Sequence, residues 1–72
     1  MARQQIDARG LSCPQPVLLA TQAMNSTGGG ELEILVDNEA SRENVGRAAR
    51  GKGWAVAQSE EQNDDFRLVL TK

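Results

Sequence analysis

The stretch GGGELEILVDNEASRENV, from Gly28 to Val45, decides how the chain folds. Glu31 to Val36 alternates, with Leu32, Ile34 and Val36 on one face and Glu31, Glu33 and Leu35 on the other, the period of a strand with one buried face. The glycines before it are a connector, because they lack the Lys and Ser/Thr that close a phosphate-cradling loop. After the strand, Asp37, Asn38 and Ser41 offer side-chain oxygens that can cap a helix. Val45, Ala48, Ala49 and Lys52 then recur along one side at helical spacing, and Gly51 and Gly53 end the helix.

Toward the N-terminus, Gln4 to Asp7 is short and extended, and Ala8 to Cys13 forms a loop that runs into Pro14-Gln15-Pro16. Proline suits the first helical turn, where its missing N–H has no partner anyway, and Val17 to Met24 supplies good helix formers. Asn25 to Gly30 stops this helix. Toward the C-terminus, Trp54 to Ser59 and Asp65 to Thr71 read as the two strands of a hairpin, joined by the polar stretch Glu60 to Asp64. Phe66, Leu68 and Leu70 alternate there against Arg67, Val69 and Thr71. The order β-α-β-α-β-β predicts an α/β (α+β) fold: a two-layer sandwich with two helices packed on one face of a four-stranded mixed sheet. Glu31, Glu33 and Arg67 then lie on the open face.

A chain of 72 residues is one domain, expected to span 1–72 and compatible with a piece excised from a longer chain. Its 39% hydrophobic content is ordinary for a globular protein, but nine of those residues are alanines, so the core is expected to be thin. Eight basic against ten acidic side chains give a net charge of -2, without the positive field that nonspecific phosphate binding requires. Trp54 and Phe66 are the only aromatics, too few for a base-stacking platform. Direct nucleic-acid binding is therefore excluded. No apolar run is longer than the four residues of Val17 to Ala20, and Met1 to Gln5 is polar, so neither a membrane span nor a signal peptide is expected and the chain reads as cytoplasmic. A monomer is expected.

One cysteine and no histidine exclude an internal disulfide, a thiolate/imidazole metal site and a Cys/His or Ser/His nucleophile pair. Asp37 and Glu39 are read as bracing a helix start rather than holding a metal, and no metal or cofactor is expected. The chemistry must centre on Cys13. A lone cysteine is usually a small buried hydrophobe, but Cys13 stands where a loop meets the first turn of a helix, and the partial positive charge there favours a thiolate. Pro14 and Pro16 supply rigidity rather than hydrogen-bond donors. Asp7 and Gly10 are read as loop support, a brace and a turn residue. Arg9 either adds positive potential near Cys13 or pairs with Asp7.

The spacing Asp7-x-x-Gly10-x-x-Cys13-Pro14-x-Pro16 resembles the signature of the TusA/SirA-like sulfur-carrier family, and the element order over nearly the whole chain is similar to that family's fold. Val36 to Val45 looks particularly like the N-terminal domain of YedF-type proteins, a branch named for selenium metabolism. The resemblance implies a sulfurtransferase-type carrier that accepts sulfane sulfur on Cys13 as a persulfide and passes it to a partner protein. The implied donor is a cysteine desulfurase or a rhodanese-type protein, and the acceptor is a further protein. Two alternatives stay open: the same chemistry with selenium, and a non-catalytic regulatory or adaptor domain. TusA carries basic residues on the helix after the motif, whereas Ala20-Thr21-Gln22 is uncharged here. The basic residues cluster instead at Arg42, Arg47, Arg50 and Lys52, either as a solvated face or as a docking site for an acidic partner. Val17, Leu18 and Leu19 cannot all face the sheet, so Leu18 and Leu19 join Arg42, Arg47 and Arg50 as candidate docking residues.

Overall fold

The computed structural model describes residues 4–12 and 15–72. The elements are β1 (Gln4–Asp7), α1 (Gln15–Thr27), β2 (Glu31–Val36), α2 (Glu39–Gly51), β3 (Ala55–Gln62) and β4 (Asp65–Thr71). They form one four-stranded sheet in the order β1-β2-β4-β3. β1 runs parallel to β2 with Ile6 opposite Ile34, while β4 is antiparallel to both of its neighbours, with Ile34 opposite Leu68. The sheet is therefore mixed, and α2 carries the chain over β4 from β2 to the edge strand β3.

The alternation in β2 buries Leu32, Ile34 and Val36 on the helix face, and Leu68 and Leu70 of β4 join them there. The helices contribute Ala20, Ala23 and Met24 from α1 and Val45 and Ala49 from α2, with Ile6, Leu11, Val17, Leu19, Val56 and Phe66 packed around this cluster. Alanines thus form much of the helix side of the core. Val69 is also buried, but on the open face, where Glu33 and Gln58 are its cross-strand neighbours. Leu68, Val69 and Leu70 are consequently covered on both sides of the sheet, as suits a central strand.

α2 begins at Asn38, whose side-chain oxygen accepts from the Ser41 N–H at 2.7 Å and satisfies one of the unpaired donors of the first turn. Its buried face is Ser41, Val45, Gly46 and Ala49. This differs from the expected side: Ala48 is only half-buried and Lys52 is an exposed C-terminal cap, while Ser41 and Gly46 lie inward. Gly53 follows with φ +84°, and the Trp54 N–H then bonds the Ala49 carbonyl at 2.9 Å. The hairpin is tighter than the sequence suggests. Glu60 to Gln62 belong to β3, leaving only Asn63 and Asp64 between Gln62 and its partner Asp65. Asn63 takes φ +58°, a left-handed conformation that asparagine tolerates better than most residues. An irregularity between Val56 and Gln58 interrupts the register of β3.

On the open face Arg67 bonds Glu33, Glu60 at 2.7 Å and Gln58, and Gln5 donates to the other Glu33 oxygen at 2.9 Å. Side chains from all four strands therefore lace the solvent side of the sheet. Among the described residues, no helix is long and apolar enough to cross a membrane.

Candidate functional site

Because β1 and β2 are parallel and each is followed by a helix, the N-termini of α1 and α2 gather at one end of the sheet, beyond the carboxyl ends of both strands. That end of an α/β layer is where ligand-facing loops collect, and the positive ends of two helix dipoles lie there together. The loop from Ala8 to Ser12 crosses this end before α1. Cys13 and Pro14 lie outside the described residues. The site is therefore defined by the residues that flank them.

The loop is anchored at successive positions. The Ala8 N–H donates to the Leu35 carbonyl at 2.8 Å and Ala8 is fully buried. Asp7 accepts the Arg9 backbone N–H at 3.1 Å and is gripped by the Arg9 side chain through Nε at 2.9 Å and Nη2 at 2.8 Å. The remaining arm of Arg9, Nη1, reaches Asp65 at the start of β4 at 3.1 Å. Gly10, at φ +79°, donates its N–H to Asp37 Oδ2 at 2.6 Å. A side chain there would meet no steric obstacle, so it is the left-handed backbone that calls for glycine. Finally the Gln15 N–H donates to the Ser12 carbonyl at 2.8 Å, a bond that brackets positions 13 and 14. Leu11 packs against the core on one side of the bracket and Pro16 is buried on the other.

The electrostatics follow from these contacts. The Arg9 guanidinium, and then its backbone N–H, hold the Asp7 carboxyl down at about 2, well below its ordinary value near 3.8. The same carboxylates, Asp7 and then Asp65, push the Arg9 guanidinium upward. Arg9 therefore sits between two carboxylates, and its charge is neutralised within the loop. Asp7 thus accepts within the loop, and Gly10 holds a left-handed backbone position in it. Asp37 accepts from the side chain of Asn38, the residue that caps α2, with one oxygen, and with the other from Gly10, 27 residues away in sequence. Two features bear on this in the sequence, the glycine at a turn and the aspartate at a strand end, but nothing local joins them.

The docking candidates separate. Leu18 is 53% exposed, whereas Leu19 packs against the core. Arg42 is half-buried, paired with Glu39 at 3.0 Å, bonded to Ser59 and stacked 5.2 Å above the Phe66 ring. Arg47 and Arg50 are exposed on α2, in a groove of about 450 Å³ between α2 and β3. Among the described residues, no group of three or more His, Cys, Asp or Glu side chains is disposed to hold a metal ion.

The arrangement is a two-layer sandwich with a pinned loop entering its first helix, and solved structures share it. A crystal structure of a SirA-like protein from Desulfitobacterium hafniense superposes with a TM-score of 0.81 at 36% identity, covering 97% of this chain and 96% of that one. The family model for Sulfurtransferase TusA matches residues 4–72, and the chain belongs to that family. A relative from Methanocaldococcus jannaschii, named as a candidate sulfur carrier protein, is 36% identical over 100% of this chain and 97% of its own. The sulfur carrier protein TusA of Allochromatium vinosum is 29% identical over 96% of this chain and 92% of its own.

Proposed function

We propose that this chain is a sulfur carrier that takes sulfane sulfur onto Cys13 as a persulfide and hands it to a cysteine of a partner protein. The observation that carries the reading is the conjunction of family and composition. The chain matches the sulfurtransferase family over residues 4–72 and contains a single cysteine, so a cysteine-borne sulfur has only one place to sit.

In loading, the Cys13 thiolate attacks the outer sulfur of a persulfide on a donor protein of the cysteine desulfurase or rhodanese type. A new S–S bond forms as the donor's breaks, and the donor leaves as a thiolate that takes a proton from water. The sulfane sulfur arrives at the oxidation level at which it departs, so no external oxidant is required. In unloading, an acceptor thiolate attacks that outer sulfur and Cys13 leaves as the thiolate. With no second cysteine and no histidine in the chain, there is neither a resolving thiol nor an imidazole base, and transfer is intermolecular. Such exchange suits a reducing, cytoplasmic compartment.

The other site residues serve position. Asp7, Arg9 and Gly10 hold the loop ahead of Cys13, Pro14 and Pro16 stiffen the entry to α1, and Leu18 offers an apolar contact on that helix's solvent side. The direct test is intact-mass spectrometry of the reduced chain after incubation with a cysteine desulfurase and cysteine, beside Cys13→Ser. The native chain should gain the mass of one sulfur, removable by a thiol reductant, and the serine variant none. A folded native chain that gains no sulfur would return the chain to the adaptor reading.

A further inference from the structure

The groove between α2 and the edge strand β3 gathers three arginines. Arg42, Arg47 and Arg50 line it against the single carboxylate of Glu43, in a chain whose net charge is -2. The other described arginines have found acids within the fold: Arg9 lies between Asp7 and Asp65, and Arg67 between Glu33 and Glu60. Arg42 pairs with Glu39, but Arg47 and Arg50 make no ion pair with any described residue. Val56 and Leu68 contribute to the groove's lining, and the Arg50 guanidinium folds back over Gly46, where an added Cβ would meet it at 3.7–3.8 Å and Val56 at 3.8 Å. β3 has a neighbour on one side only, so the groove opens along the edge of the sheet.

We infer that this groove binds an extended, acidic segment of a partner protein, with carboxylates on Arg47 and Arg50. The spacing fits: residues three apart on a helix carry Cβ atoms about 5–6 Å apart. Alternate residues of an extended segment lie roughly 6.7 Å apart, so carboxylates two positions apart reach both guanidiniums. A long polyanion is disfavoured by the exposed Glu60, Glu61 and Asp64 at the hairpin and by the overall negative charge. The inference extends the carrier reading by giving the partner a recognition surface separate from Cys13, and it rests on that reading only for the partner's role.

The test is binding of a fluorescent synthetic peptide alternating glutamate and valine to the full chain, followed by amide chemical shifts, with the matching glutamine–valine peptide and an oligothymidylate as controls. The glutamate peptide should move the amides of Gly46, Arg47, Arg50 and Val56, weaken as salt rises, and bind Arg47→Gln/Arg50→Gln about tenfold less tightly. Circular dichroism of that variant should be unchanged, since both side chains are exposed. Equal binding by the double variant, or shifts confined to other residues, overturns the inference. An oligothymidylate that binds these amides as tightly replaces the peptide with nucleic acid, and self-association abolished by the double variant replaces it with a second copy. Cys13→Ser should bind the peptide normally. A chain that binds at the groove but never loads sulfur therefore refutes only the carrier reading, and one that loads but does not bind refutes only this inference.

Discussion

Replacing Asp37 with alanine removes the acceptor that holds the loop ahead of Cys13. In the folded chain Asp37 Oδ2 accepts the Gly10 N–H at 2.6 Å and Oδ1 accepts from the Asn38 side chain at 3.1 Å. A hydrogen bond to an ionised group contributes about 1.5–3 kcal/mol, with partly exposed cases such as this one at or below the lower end. The Asn38 contact adds little, because both partners reach water. Asp37→Ala should therefore destabilise the fold by about 1 kcal/mol, lowering the melting temperature by roughly 4–8 °C for a domain of this size. Asp37→Asn keeps an acceptor of the same shape and should lose about half as much. Urea unfolding followed by fluorescence of the buried Trp54 measures the stability, and amide hydrogen exchange at Gly10 locates the effect. The Gly10 amide should exchange faster in Asp37→Ala by more than the global loss explains, and Cys13 should take up sulfur more slowly. An unchanged midpoint together with unchanged exchange at Gly10 would show that the 2.6 Å contact does not hold the loop.

Two further substitutions probe the same frame. Arg9→Ala should return the Asp7 carboxyl from about 2 toward its ordinary value of 3.8, read by a carboxyl-carbon NMR titration. A depressed folded value stabilises the native state above about pH 4 and loses that contribution as pH falls toward 2, so the wild-type chain should have an acid-sensitive component that the variant lacks. A titration midpoint unmoved by Arg9→Ala would refute the assignment. Gly46→Ala should raise stability by about 1 kcal/mol, since alanine has the higher helix propensity and its methyl would meet Arg50 and Val56 at ordinary contact distances of 3.7–3.8 Å. A lower melting temperature would mean that the space at Gly46 cannot accept a methyl group.

Much of the fold could be read locally because its central strand and first cap obey local rules. β2 spans Glu31–Val36 as its alternation requires, Asn38 caps α2, and Glu33 and Arg67 meet on the open face. β3 was harder. An edge strand exposed along nearly its whole length has no apolar face to alternate, so Glu60 to Gln62 look like a loop until β4 supplies their hydrogen-bonding partners. On α2 the inward position of Gly46 carries no hydrophobic signal, and the aliphatic stem of Lys52 imitates one. At the site, the Asp7–Arg9 pair lies within reach of a sequence reading because its members are two residues apart. Arg9 to Asp65 and Gly10 to Asp37 join residues 56 and 27 apart, and only the parallel pairing of β1 with β2 and the closeness of the hairpin bring them together.

Those long-range bonds hold the loop ahead of α1 in place. Two helix N-termini converge at one end of the sheet, and unsatisfied N–H groups there would attract any nearby carboxylate. The carboxylates at that end are engaged elsewhere: Asp7 and Asp65 by Arg9, and Asp37 by Gly10 and Asn38. The Asn38 side chain, an uncharged cap, satisfies the start of α2. Arg9 offsets the charge of Asp7 and Asp65, while Asp37 keeps its negative charge against two neutral donors. Replacing Arg9 should accordingly do more than soften the loop. Freed from their counter-ion, Asp7 and Asp65 would leave this end of the sheet more negative, so Arg9→Ala should raise the pH at which Cys13 alkylates, whereas Asp37→Ala, which removes a negative charge, should not. An equal shift in both variants would mean that loop order, rather than charge, governs the thiol.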